Sequence, residues 1–253
     1  MLAVSLQSGS NGNCIYVETR DARILIDAGI SGIQAERRLR SIGRDIRDVD
    51  CLFISHDHSD HTSCAGVFSR KYGIPVWMTR RTLSALREGP GDFRDLSHFE
   101  RGECLEIGRT VIETVPTPHD GVDGVVFVVE DGRRRLGVLT DIGHVFDGFP
   151  DLVAGLDGVF LESNYETRLL EAGPYPAFLK ARIKGPGGHI SNDESALLLE
   201  RAFRRRLTWA CLAHLSEQNN NPRTALSTHR RVLGEGAELC VASRYRVSPV
   251  LEL

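Results

Sequence analysis

The sequence lacks the features that mark membrane-bound, secreted and disulfide-stabilised proteins. No apolar run approaches the length of a membrane span. Residues 1–6 carry no basic segment, and their apolar run is too short for a signal peptide. The six cysteines are scattered without a C-x-x-C pair, which predicts reduced, structural thiols. We therefore expect a cytoplasmic protein that does not enter a membrane.

The chain also lacks a strong net charge, a linker and an internal repeat. Its formal net charge is −3, so its overall charge does not indicate a polyanion partner. Arginine clusters occur locally, for example at residues 133–135 and 204–206, and such clusters are most often solvated faces. Because the composition does not shift along the 253 residues, we predict one domain that spans residues 1–253.

Three imidazoles and two carboxylates follow a short apolar run, residues 51–54, which predicts a buried strand. In an extended segment, His56, His58 and Asp60 would point the same way. Asp60 and His61 are expected where the backbone turns into the next element. Neutral imidazole and ionised carboxylate bind zinc, manganese and iron, so the cluster predicts a metal site. The alternative is a solvated polar turn.

The spacing His56-x-His58-x-Asp60-His61 resembles the signature of the metallo-β-lactamase fold superfamily. The resemblance implies an α/β (α+β) fold, built as a four-layer αβ/βα sandwich. It also implies that further histidine and aspartate ligands lie at the ends of later strands.

Three later residues meet that expectation. His119 follows a predicted strand and lies beside two prolines, which stiffen its position. Asp141 lies at the end of the strand predicted at residues 134–140, where it suits a bridging carboxylate or, alternatively, a turn or cap residue. His214 ends the strand predicted at residues 208–214.

His189 lies just before a predicted helix, whose cap is Ser191 or Asn192 with Glu194 completing a capping box. Backbone donors at a helix N-terminus favour phosphate, so His189 is placed to act on a phosphate oxygen or on the leaving oxygen. The alternative is a purely structural histidine.

Other elements are predicted from periodicity and turn residues. Helices are expected at residues 31–42, 62–72 and 79–88, and a short closing strand at residues 246–247. Asp27 ends an early strand, from which it can orient a nearby histidine.

Motifs along nearly the whole chain resemble the YycJ/WalJ family of bacterial metallo-β-lactamase-fold hydrolases. They are Ser8-Gly-Ser-x-Gly-Asn13, Thr140-Asp-x-Gly143, Glu162-Ser-Asn164, Leu179-Lys-x-Arg-Ile183, Gly188-His-x-Ser-Asn192, Ala213-His-Leu-Ser216 and Asn219-Asn220. A Gly-His-x-Ser helix start paired with a strand that ends in His-x-Ser is also similar to tRNase Z enzymes, which cut phosphodiesters.

This resemblance implies two divalent ions, zinc or manganese, and attack of a metal-bridged hydroxide on phosphorus in a single-stranded DNA 5′-exonuclease. It implies one ion held by His56, His58 and His119, the other held by Asp60, His61 and His214, and Asp141 between them. Asp60 would also accept the proton of the nucleophile. Substrate contacts are expected from short polar side chains in the motifs: Ser8, Ser10, Asn13, Asn164, Ser191, Asn192, Ser216, Asn219 and Asn220.

One departure and two alternatives remain open. The chain carries Tyr165 where the family is expected to carry histidine, and a tyrosine does not replace a titrating imidazole. The negative net charge slightly favours a small-molecule hydrolase that acts on a cyclic phosphodiester or thioester, whereas the His189 and Asn219-Asn220 segments favour a nuclease on single-stranded DNA or RNA. A metal-stabilised binding protein without activity is the third reading. Oligomeric state is not predicted.

Overall fold

Short apolar runs form the strands of the computed structural model, which describes residues 1–86 and 91–253. The chain divides into two units, and each is described by itself. The first comprises Met1–Pro116, Gly121–Gly132 and Ser243–Glu252, and the second comprises Thr117–Asp120, Arg133–Ala242 and Leu253. The single domain expected over residues 1–253 stays a prediction.

The first unit is built on a mixed sheet in the order β14-β1-β2-β3-β4-β5-β6. Its strands are β1 Leu2–Gln7, β2 Cys14–Glu18, β3 Arg23–Ile26, β4 Cys51–Phe53, β5 Val76–Met78, β6 Leu96–His98 and β14 Leu251–Glu252. Pairing is antiparallel from β14 to β3 and parallel from β3 to β6. The unit also contains an antiparallel set, β7 Cys104–Ile107, β8 Thr110–Pro116 and β9 Val125–Glu130.

The helices of this unit are α1 Gly32–Ser41, α2 Ser59–Thr62, α3 Ala65–Tyr72 and α4 Arg80–Ala85, with a 3-10 turn at Ile46–Asp48. α1 begins where the sequence predicts, because Ser31 and Gln34 form a reciprocal capping box. Its buried face packs Ala35 and Leu39 into a core with Leu52 of β4 and Phe68 of α3. This core holds the end of β4 in place.

The helix predicted at residues 62–72 is instead split into α2 and α3. A continuous helix would bond the N–H of Cys64 to the carbonyl oxygen of Asp60. The N–H of Cys64 instead donates to Ala28 O at 2.9 Å, and Asp60 O accepts from Asn13 N at 2.8 Å. Both partners of that helical bond are therefore used by other segments. The predicted end of the next helix, at residues 87–88, lies outside the described residues.

The closing strand predicted at residues 246–247 is wrong. Ser243 Oγ accepts from the N–H groups of Tyr245 and Arg246, each at 3.1 Å, and this makes a turn. The last strand is β14, which pairs with the start of β1.

The second unit is built on four parallel strands in the order β13-β12-β11-β10. They are β10 Arg135–Leu139, β11 Gly158–Glu162, β12 Trp209–Ala213 and β13 Leu239–Val241. The helices are α5 Phe149–Ala154, α6 Thr167–Ala172, α7 Ala177–Lys184, α8 Asn192–Phe203 and α9 Pro222–Leu233. Every residue of β11 and β12 is buried, as expected for parallel strands covered on both faces.

Parallel strands bring their carboxyl ends to one edge of the sheet, so residues just past β10, β11 and β12 lie near one another. The predicted α/β class is confirmed by the mixed sheets and their flanking helices. Within the described ranges, no helix has the length and apolar character needed to cross a bilayer. The cytoplasmic location stays a prediction.

Candidate metal centre

Three histidines of the segment after β4 form one cluster. The ring centroids of His56 and His58 lie 4.6 Å apart, and those of His56 and His61 lie 4.2 Å apart. Asp60 lies in the first turn of α2, not in an extended run with the histidines. His58 is the cap residue of this helix and keeps an extended backbone, so the chain turns into α2 directly after it.

Asp27 orients this cluster, as the sequence suggested. Its carboxylate accepts from His61 Nδ1 at 2.7 Å, from Ser55 N at 2.8 Å and from Ser55 Oγ at 3.0 Å. Because Nδ1 of His61 is held in this way, Nε2 faces the side chain of Asp60, whose Oδ2 lies 3.5 Å away. A carboxylate behind a ligating histidine fixes the ring and its tautomer, which is the arrangement expected around a metal.

The loop between β1 and β2 also contacts Asp60. Asn13 Nδ2 lies 3.2 Å from Asp60 Oδ2 and 3.0 Å from His61 Nε2, while Asn13 Oδ1 accepts from Gly9 N at 2.8 Å. This approach requires a glycine at position 29, since a Cβ there would lie 1.7 Å from Asp60 O. The amide of Asn13 is thereby directed at the predicted ligands.

The second unit presents acidic and imidazole side chains at the ends of three parallel strands and in the loop before α8. Asp141, Glu162, His189 and His214 each offer a ligand atom, and these atoms lie within 4.8 Å of one another. His119 joins the group through Nε2, which lies 3.6 Å from Asp141 Oδ1. Imidazole nitrogens and carboxylate oxygens at this spacing fit a divalent ion such as zinc or manganese.

Strained backbone is concentrated at the predicted ligands and their orienting residue. Among the described non-glycine residues, positive φ occurs at Asp27 (65°), Asp123 (59°), Asp141 (62°) and His214 (53°). Asp27, Asp141 and His214 each lie just past a strand. A left-handed conformation at a non-glycine residue costs about 1–3 kcal/mol, and such residues cluster at functional sites. These three side chains are therefore held in place by the fold.

Glu162, at the end of β11, was not among the site residues predicted from the sequence. It is fully buried, and its Oε1 accepts from His189 Nδ1 at 2.7 Å and from His214 Nδ1 at 3.1 Å. Burial raises the pKa of Glu162, but the charge of His189 and the hydrogen bonds from His189 and His214 more than offset this and hold the pKa below its usual value. A strand of apolar residues that ends in glutamate was the signal available in the sequence.

The loop that carries His119 packs against the loop that carries His189. His119 Nδ1 donates to Gly188 O at 2.9 Å, and the ring centroids of the two histidines lie 5.1 Å apart. Gly143 permits this packing, because a Cβ there would lie 1.7 Å from Pro118 O. The carbonyl of Gly188 thus orients His119 with Nε2 toward Asp141.

The expected substrate contacts make internal hydrogen bonds in this structure. Asn220 Nδ2 donates to Ser163 O, Asn164 O and Asn192 Oδ1, and Asn164 Nδ2 donates to His214 O. Ser191 caps α8. Of the other five, Ser8 and Asn13 share a hydrogen bond, Ser10 is exposed and accepts from Arg244, and Ser216 accepts from Asn219. A substrate role for these nine residues stays a prediction.

Tyr165, where histidine was expected, is buried, and burial raises its pKa to about 12. Its backbone bridges to Ser191, and its carbonyl oxygen accepts from Asn192 N at 2.9 Å. The backbone of Tyr165 therefore links the end of β11 to the start of α8, and its buried side chain is neutral.

Similarity to known proteins shows the family of this chain. The sequence pattern of the Metallo-beta-lactamase superfamily matches residues 8–207, so the protein belongs to the metallo-β-lactamase superfamily. Exodeoxyribonuclease YycJ of Bacillus anthracis is 32% identical over 232 residues, covering 91% of this chain and 88% of the relative. Exodeoxyribonuclease WalJ of Streptococcus pneumoniae is 34% identical over 246 residues, covering 96% and 91%. Within the superfamily, the chain is a member of the YycJ/WalJ family.

Solved structures confirm the fold. The metallo-β-lactamase fold protein YhfI from Bacillus subtilis superimposes with a TM-score of 0.74 at 15% identity, covering 98% of both chains. The short form of human tRNase Z superimposes with a TM-score of 0.66 at 14% identity, covering 100% of both chains. Family membership together with the groups of imidazole and carboxylate donors makes this protein a metal-dependent hydrolase.

Proposed function

We propose that this protein is a single-stranded DNA 5′-exonuclease that works with two divalent metal ions. The observation that carries the proposal is the group of Asp141, Glu162, His189 and His214, whose ligand atoms lie within 4.8 Å of one another in a chain about one third identical to two exodeoxyribonucleases. Such a group supplies both metal ligands and an imidazole for proton transfer, and phosphodiester hydrolysis needs both.

The proposed ligands divide into two sets and a bridge. One set is His56, His58 and His119, the other is Asp60, His61 and His214, and Asp141 is the bridge. The donor orientation supports this assignment, because Nδ1 of His61 and of His119 is held by Asp27 and by Gly188 O. When bound, the ions would lower the pKa of a water molecule and neutralise charge on the phosphate.

The remaining steps are carried out by the protein's own side chains. Asp60 accepts the proton of the attacking water, and Asn13 Nδ2, 3.2 Å from Asp60 Oδ2, holds that carboxylate in place. His189 protonates the leaving oxygen through Nε2, since its Nδ1 bonds to Glu162. Its position two residues before the cap of α8 places it near the backbone donors of a helix N-terminus, which favour phosphate.

The direct test is degradation of single-stranded DNA labelled at either end, in a panel of manganese, zinc and magnesium. We expect metal-dependent release of nucleotides from the 5′ end, and we expect His58→Ala to abolish it. Arg204→Ala, on the exposed surface of the same protein, serves as the matched control. Turnover of an aryl phosphodiester without action on any oligonucleotide would overturn the nuclease proposal and favour the small-molecule hydrolase.

His189→Ala separates a catalytic role from a ligand role. We expect turnover to fall by about 10²- to 10⁴-fold, as for the loss of a general acid, while the metal content stays at the wild-type value. Elemental analysis of the purified variant is the readout. A loss of bound metal would make His189 a ligand.

A further inference from the structure

Helix α7 buries none of its residues. All eight, from Ala177 to Lys184, are exposed or half-exposed, and Phe178 is 75% exposed. A helix on the surface of a globular protein normally buries an apolar face against the core. A large, exposed aromatic side chain on a helix without a buried face indicates a surface that contacts another molecule.

The same helix is basic. It carries Lys180, Arg182 and Lys184 and no acidic residue. Two carboxylates contact them: Arg182 Nε donates to Asp120 Oδ2 at 2.6 Å, and Lys184 pairs with Glu171. Lys180 bonds to a backbone carbonyl, so three positive charges face two negative ones and the patch keeps a positive excess.

The C-terminal end of α7 is bonded to the backbone of the predicted catalytic histidine. His189 N donates to Ile183 O at 2.9 Å, and Gly188 N donates to Gly185 O at 2.8 Å. A glycine is needed at position 188, because a Cβ there would lie 2.1 Å from Ile183 O. Arg182 reaches Asp120, the neighbour of His119. A chain bound along α7 would therefore lead to His189 and His119.

We propose that α7 is a docking surface for single-stranded nucleic acid, with Phe178 stacking on a base and the three basic side chains contacting phosphates. Stacking on an exposed aromatic beside basic residues is the general way in which proteins hold single strands without reading their sequence. Arg182 and Lys184 would exchange carboxylate partners for phosphates, so the contacts depend on salt. This proposal rests on the proposed nuclease function, since it assumes a nucleic-acid substrate.

The test measures binding of a short oligothymidylate with phosphorothioate linkages and a 3′ fluorescent label to the metal-loaded protein. Phe178→Ala should weaken binding about tenfold, within the range for loss of one base stack, and Phe178→Trp should restore it. Lys180→Ala combined with Lys184→Ala should lower the slope of log affinity against log salt by about 1.4, since each phosphate contact contributes about 0.7. Thermal unfolding and metal content check that each variant is folded.

Matched controls come from elsewhere on the surface. Tyr245→Ala removes another exposed aromatic side chain and Arg204→Ala another exposed cation, and both should bind as the wild type does. If Phe178→Ala and the double lysine variant bind like the wild type while the wild type degrades DNA, the α7 proposal is wrong and the nuclease function stands. If the wild type neither binds nor degrades the oligonucleotide, both proposals are wrong. If Phe178→Ala instead converts a dimer to a monomer without changing affinity, α7 contacts a second copy of the chain.

Discussion

Replacing Glu162 by glutamine tests whether one buried carboxylate orients the histidines of the second unit. Oε1 of Glu162 accepts from His189 and His214, and Oε2 accepts from the backbone N–H groups of Ile142 and Ile190 at 2.9 and 3.3 Å. Glutamine has the same size, but one of its two acceptor oxygens is replaced by an NH₂ donor. In either orientation of the amide, its NH₂ group faces N–H donors, which belong either to the two histidine rings or to the backbone.

The size of the effect depends on which pair of hydrogen bonds to residue 162 is lost. If the NH₂ group faces the backbone, an unsatisfied donor is buried at a cost of about 1–3 kcal/mol of folding free energy. If it faces the rings, His189 and His214 must move their protons to Nε2, and His214 loses the lone pair that is proposed to bind a metal. Changes to such orienting residues typically reduce metal affinity or activity by about 10- to 100-fold. We expect Glu162→Gln to lose at least tenfold in metal affinity.

Competition with a chromophoric chelator measures this affinity. Glu194→Gln is the matched control, because Glu194 also accepts two hydrogen bonds, from Ser191 N and Oγ, but uses them to cap α8. The control should lower thermal stability and leave metal affinity unchanged. Wild-type metal affinity and wild-type turnover in Glu162→Gln would refute the orienting role.

Two further substitutions probe other parts of the structure. Asp27→Asn keeps a residue type that tolerates the positive φ but removes the negative charge that contacts His61. Metal affinity should therefore fall about tenfold in the chelator assay. Wild-type affinity would argue against an orienting role of Asp27. Burial lowers the pKa of His229 to about 4, against about 6.5 in the unfolded chain, so the neutral form is favoured by folding and stability is lost as pH falls through this window. Between pH 7 and pH 4, the wild type should lose about 3 kcal/mol more of its unfolding free energy than the His229→Gln variant, as measured by urea unfolding. Identical pH profiles of the two proteins would show that His229 does not titrate in this way.

The positions of the candidate ligands were predictable where their chemistry is local or tied to strand ends. His56, His58, Asp60 and His61 lie within six residues, so their donors are visible together in the sequence. Asp27 was predictable as an orienting residue because it directly follows a strand, and its bond to His61 confirms this.

Glu162 was missed because its partners are distant in the chain. His189 and His214 lie 27 and 52 residues away. The parallel pairing of β11 and β12 brings His214 to the end of β11, and the hydrogen bond from Asn164 N to Ile190 O brings the loop of His189 there. Nothing within β11 distinguishes a glutamate that orients two imidazoles from one that begins a turn.

Two structural features also depend on contacts that periodicity does not record. The break between α2 and α3 arises from hydrogen bonds to Ala28 and Asn13, which belong to other segments. The exposure of α7 is unexpected from its composition, because the hydrophobicity of Phe178, Leu179 and Ile183 predicts that they lie in a core. Its surface position became visible only in three dimensions.

The most direct test of the proposed site is the number of divalent ions that the protein binds. The chain should be stripped with chelator, reconstituted with zinc or manganese, freed of excess metal and analysed for metal per chain. If the seven proposed ligands act as assigned, the wild type should hold two ions, and His119→Ala should lose affinity at one of them. One ion or none in the folded wild type would contradict the assignment of two metals to this site.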